Sequence, residues 1–149
     1  MYLNCAFTGH RDLDSRFDRE LLDRVILNLI KSGARNFYCG MAIGFDMLAA
    51  ETVLRHKENY DIKLCACIPC DGQSKYFSLK DKERYEKILC ACDEKIIFST
   101  EYTPGCMQER DRFLVDNCDV LVSYLRKNYG GTHYTVSYAR KQNKKIIEL

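Results

Sequence analysis

Four short segments carry residue types that could hold an anion or move a proton. Thr8-Gly9-His10-Arg11 sets a hydroxyl, a glycine, a titratable ring and a permanent cation side by side. Gly40-Met41-Ala42-Ile43-Gly44-Phe45-Asp46 brackets a turn with two glycines and places a carboxylate just beyond it, with Glu51 further on after Ala49-Ala50. Gly130-Gly131-Thr132 is a glycine pair followed by a hydroxyl. Where such a turn joins a strand to a helix, unpaired N–H groups at the positive end of the helix dipole form an anion site, suited to phosphate. Neither turn has the G-x-G-x-x-G spacing of a dinucleotide fingerprint, and no Lys-Ser/Thr pair follows Gly44 to make a P-loop. In the fourth segment, Met107-x-x-Arg110-Asp111, Asp111 falls on an apolar stripe, where an unpaired carboxylate is costly. It requires a partner, and His10, Arg11 and Arg110 are the candidates.

The segments punctuate a regular alternation. Leu3 to Thr8 is an apolar run ending at Gly9. Ser15-Arg16-Phe17-Asp18 has the form of a capping box ahead of Leu22, Val25, Ile26, Leu29 and Ile30 at helical spacing, with Gly33 as the stop. Further strands are expected at 36–39, 62–68, 95–99, 120–125 and 145–149, and further helices at about 45–56, 79–92, from 104 or 105, and 132–142. The polar stretch 70–78 reads as the longest loop, of the kind that closes over ligands. Near-continuous apolar strands alternating with helices predict an α/β, Rossmann-like, doubly wound fold. Its mostly parallel sheet has about six strands, with helices on both faces. Ligands of such sheets bind beyond the carboxyl ends of the strands, where all four segments fall.

Length and composition fit this picture. The 149 residues match one compact domain spanning 1–149, with 46% hydrophobic and 30% charged residues. The net charge of +2 is interspersed, so nucleic acid is not an expected partner. No stretch approaches the roughly 18 apolar residues of a membrane span, and the N-terminus does not read as a signal peptide; a cytoplasmic protein with no membrane partner is expected. The nine cysteines, an odd number, read mainly as reduced core thiols. Cys67-Ile68-Pro69-Cys70 is a C-x-x-C, but it runs into a loop at Asp71-Gly72 and lacks a second well-spaced pair. No metal and no cofactor are expected, and the sequence does not decide whether the Cys67/Cys70 pair has a redox or metal role.

Taken in order, Thr8-Gly9-His10-Arg11, Gly40-x-Ala42-x-Gly44-x-Asp46-x-x-Ala49-Ala50-Glu51, Met107-x-x-Arg110 and Gly130-Gly131-Thr132 resemble the YpsA-like family of the SLOG superfamily over nearly the whole chain. The Gly-x-Ala-x-Gly-x-Asp segment is similar to that of DprA proteins, which bind single-stranded DNA. The Met-x-x-Arg and Gly-Gly-Thr elements look like those of LOG enzymes, phosphoribohydrolases acting on nucleoside monophosphates. The resemblance implies a small nucleotide or nucleotide-derived ligand, ADP-ribose-like or a nucleoside phosphate, bound by a sensor or regulatory module. Gly130, Gly131 and Thr132 would hold phosphate and Arg110 would lie near ribose or phosphate, with Thr8, Gly9, His10, Arg11, Gly40, Ala42, Gly44 and Asp46 completing the site.

The alternative is an enzyme cleaving the N-glycosidic bond, in which Arg110, Glu51 and Asp46 would be catalytic. LOG enzymes carry a glutamate shortly after their glycine-rich turn, where this chain has His133, Tyr134 and Thr135. That departure ranks binding ahead of hydrolysis. DNA binding as in DprA ranks third, and the resemblance also allows a homodimer.

Overall fold

A computed structural model describes residues 2–149. Among the described residues eleven elements alternate: β1 (Leu3–Gly9), α1 (Arg19–Lys31), β2 (Ala34–Cys39), α2 (Phe45–Lys57), β3 (Lys63–Ile68), α3 (Leu79–Ala91), β4 (Glu94–Ile97), α4 (Cys106–Asp116), β5 (Val120–Tyr124), α5 (Gly131–Lys141) and β6 (Lys145–Glu148). All five neighbouring strand pairs are parallel, in the order β4-β3-β2-β1-β5-β6. The fold is Rossmann-like and doubly wound, with the sheet parallel throughout.

Alternation along each strand divides the core between two faces. Phe7, Phe37, Leu64 and Val122 pack with Ile26 of α1, Val53 of α2 and Ile88 of α3. On the other face Ala6, Cys65, Cys67 and Leu121 pack with Leu114 of α4 and Val136 of α5. Seven of the nine cysteines are buried, while Cys90 is exposed and Cys92 half-buried.

One local expectation is corrected. The cap of α1 is Asp18, whose carboxylate accepts from the Leu21 N–H at 3.0 Å, rather than Ser15. The stretch before it is occupied by a turn in which the Phe17 N–H bonds the Asp14 carbonyl. Asp18 thus takes the acceptor role that the capping-box reading assigned to Ser15.

The chain runs outward from β1 through β2 and β3 to β4, then crosses back to place β5 on the other side of β1. The switch in strand order lies between β1 and β5. Their carboxyl ends diverge into separate connections there and leave a crevice.

Candidate functional site

A cleft of about 420 Å³ opens at that crevice. Thr8 and Gly9 form its β1 wall, Met107, Arg110 and Asp111 reach it from α4, and Gly130, Gly131 and Thr132 close it at the start of α5. Thr8 lies beside Ser123 in the β1–β5 register, and the Ser123 hydroxyl is buried with no hydrogen-bond partner among the described residues.

The start of α5 is open. Gly130, its N-cap, has φ 92° and ψ −176°, a conformation restricted to glycine, and it brings no side chain to the first-turn N–H groups. A Cβ at Gly130 or Gly131 would meet nothing within 4 Å among the described residues. Gly130, Gly131 and Thr132 line the cleft, so the uncapped, positive end of α5 lies at its wall.

The start of α2 is closed. Gly44 has φ 82° and also lacks a capping side chain, but a Cβ there would strike the Arg11 carbonyl. The Phe45 N–H is already bonded to the His10 carbonyl at 3.1 Å. Gly40 lies under the Arg110 guanidinium, 2.7 Å from where its Cβ would stand. Gly40 and Gly44 are not among the residues lining the cleft, whereas Ala42 and Asp46 are.

Beneath the cleft Arg110 is buried in a polar cluster. Its Nε bonds Asp111 Oδ1 at 2.7 Å, and its Nη1 donates to the Gly40 carbonyl and, at 3.3 Å, to that of Cys67. The partner that Asp111 requires is Arg110. A second carboxylate, Asp46, is equally buried. Its Oδ2 accepts from the Ala42 N–H at 3.3 Å, while Oδ1 has no partner among the described residues. Burial lifts Asp46 to about 7, against the pull of the Arg110 charge. With Asp46 protonated, one guanidinium faces one carboxylate and the cluster is neutral, the cheaper state for a desolvated site.

The cleft mouth is more polar. His10 Nε2 accepts the Arg126 N–H at 2.8 Å, which places the ring proton of the neutral form on Nδ1. Burial, followed by the charges of Lys127 and Arg126, lowers the ring's pKa. Arg11 and Lys127 are exposed at the rim and join no ion pair among the described residues. Asp12 is the rim carboxylate.

A family model described as the YspA SLOG family matches residues 6–148. The chain belongs to this family. No curated protein matches it significantly. Among solved structures, DNA processing protein A (DprA) from Streptococcus pneumoniae is similar at a TM-score of 0.70 and 19% identity, covering 99% of this chain and 50% of that one. DprA from Helicobacter pylori, solved for its single-stranded DNA binding mode, is similar at 0.72 and 19% identity, covering 98% and 64%. The chain spans about half to two thirds of these neighbours, and the likeness is one of fold.

Among the residues singled out from this family member's sequence, Glu51 stands apart. It pairs with Arg84 of α3 at 2.5 Å, outside the cleft. Sequence reasoning missed Lys127, Gln108 and Asp12, which line the cleft. Lys127 had a usable signal, since it lies three residues before Gly130 in the same connection. Gln108 had none, because it sits in a charged, exposed run.

Proposed function

We propose that the cleft binds the phosphate and ribose of a nucleotide or nucleotide-derived ligand, and that the protein works as a sensor or regulatory module. The observation that carries this reading is the open, glycine-led start of α5 over the cleft. Its N–H groups and the Thr132 hydroxyl suit phosphate oxygens, and Arg11 and Lys127 add charge at the rim. Asp46 lines the cleft, and its buried Oδ1 has no donor among the described residues; a ribose hydroxyl that displaces the atoms covering it would supply the missing hydrogen bond.

A second reading is N-glycosidic hydrolysis. Asp46 favours it, because a carboxylate lifted to about 7 in a cleft is poised to exchange a proton near neutral pH. Glu51, held by Arg84, is withdrawn from that role in this proposal. Single-stranded DNA is a third partner class. The Helicobacter pylori neighbour leans against the expectation that nucleic acid is no partner. The net charge of +2 supplies little of the positive groove that single-strand binders use.

Incubation with AMP, ADP-ribose and NAD, followed by both thermal shift and free-base release, separates the readings. Stabilisation without turnover supports the binding module. Base release lost in Asp46→Asn supports the enzyme. No shift with any nucleotide at millimolar concentration refutes both.

A further inference from the structure

A second cleft, of about 650 Å³, adjoins the first and shares Arg11, Ala42 and Met107 with it. Its lining differs in kind. The loop after β3 contributes Tyr76 and Phe77, and the connection after β4 contributes Tyr102. Tyr76 and Tyr102 are 89% and 69% exposed; Lys75 Nζ stands 5.3 Å from the Tyr76 ring centroid on one face, which leaves the other face of that ring and the Tyr102 ring for stacking. The loop is tied to the Arg110 cluster beneath the first cleft: Gln73 Nε2 donates to the Gly40 carbonyl at 3.0 Å, and the Tyr85 hydroxyl donates to Gln73 Oε1 at 3.0 Å. Apart from Arg11, the charged lining of the second cleft is Asp71, Asp81 and Glu101 against Lys75, a balance that disfavours an anion there. Arg11 stands at the join.

We propose that the second cleft is a subsite for the aromatic head of a two-headed ligand, a second nucleoside joined through a pyrophosphate to the nucleoside in the first cleft. The proposal rests on the nucleotide reading of the first cleft. Charge and shape divide the ligand: the open α5 start and Arg11 take the pyrophosphate, and Tyr76 and Tyr102 take the second ring by stacking. Each cleft falls within the 300–1,000 Å³ range of small-molecule pockets. Because the two clefts share Arg11, Ala42 and Met107, one ligand with two heads can occupy both.

Isothermal titration of the full chain with AMP, ADP-ribose and diadenosine diphosphate tests this. Diadenosine diphosphate is expected to bind about 10-fold tighter than AMP, the lower end of what one stacked base contributes, with ADP-ribose between them. The double variant Tyr76→Ser/Tyr102→Ser changes two exposed positions and should erase that gain while leaving AMP affinity within about twofold. AMP binding with no gain from the second head, or a gain that survives in the double variant, overturns the subsite alone. Failure of every nucleotide to bind overturns the nucleotide reading and the subsite with it. A thymidine oligonucleotide that binds through the same tyrosines, with no preference for the dinucleotide over AMP, replaces the proposal with single-stranded DNA.

Discussion

The helices starting at Gly44 and Gly130 share a glycine N-cap at positive φ and no capping side chain, yet their surroundings are opposite. At Gly44 the space a side chain would need is filled by the backbone of Arg11, and at Gly40 it is filled by Arg110. At Gly130 and Gly131 the space is open, and the cleft occupies it. The two turns therefore use glycine differently. The first uses it so that β1, α2 and α4 can close around a buried charge cluster, and the second leaves a helix end accessible.

The largest expected effect comes from removing the cation that the first turn encloses. Arg110→Ala leaves Asp111 buried without its partner and should cost about 3–5 kcal/mol in urea unfolding. A loss below about 1 kcal/mol would mean that the cluster is not the tight structure described. Gly40→Ala pushes a methyl into the guanidinium and should cost about 1–3 kcal/mol. Gly131→Ala, at an open position, should stay within about 0.5 kcal/mol of wild type. Equal losses at both sites would erase the distinction between the turns.

Gly131→Asp sharpens it further. A carboxylate in the first turn of α5 favours the helix dipole by about 0.3–1 kcal/mol but repels an anion at the same place. Stability should hold or rise while AMP affinity falls about 10-fold, a loss of about 1.4 kcal/mol. Affinity unchanged by that charge would remove phosphate from the start of α5.

The smallest effect concerns protonation. Asp46 is raised from its ordinary range to about 7 by burial, with Arg110 opposing and Asp111 reinforcing the shift. Because the folded value exceeds the unfolded one, its contribution to stability is full below the unfolded value and is lost as pH rises through about 7. Between pH 5 and 7, wild type should lose stability relative to Asp46→Asn by at most about 1.4 kcal/mol per pH unit. Parallel pH profiles for the two proteins would place Asp46 in water.

Strand and helix placement was legible because the apolar runs and glycine stops are local signals. The displaced cap of α1 was not, since Ser15 and Asp18 both satisfy capping chemistry and a turn at 14–17 decides between them. The site was legible in part. Glycine pairs at strand ends mark the right sheet edge, but Gly40 and Gly130 look alike until the side chains above them are known. Arg110 sits in a run with Glu109 and Arg112, and only α4 packing turns it and Asp111 inward while Glu109 and Arg112 stay exposed. Its bond to the Gly40 carbonyl spans 70 residues, a separation that no sequence window contains.

The most direct test follows backbone amides by ¹H–¹⁵N NMR while AMP is titrated into the full chain. Saturable shifts should be largest at Gly131 and Thr132 and much smaller at Gly40 and Gly44, whose surroundings the protein itself fills. Saturable binding that leaves Gly131 and Thr132 unmoved would contradict the account.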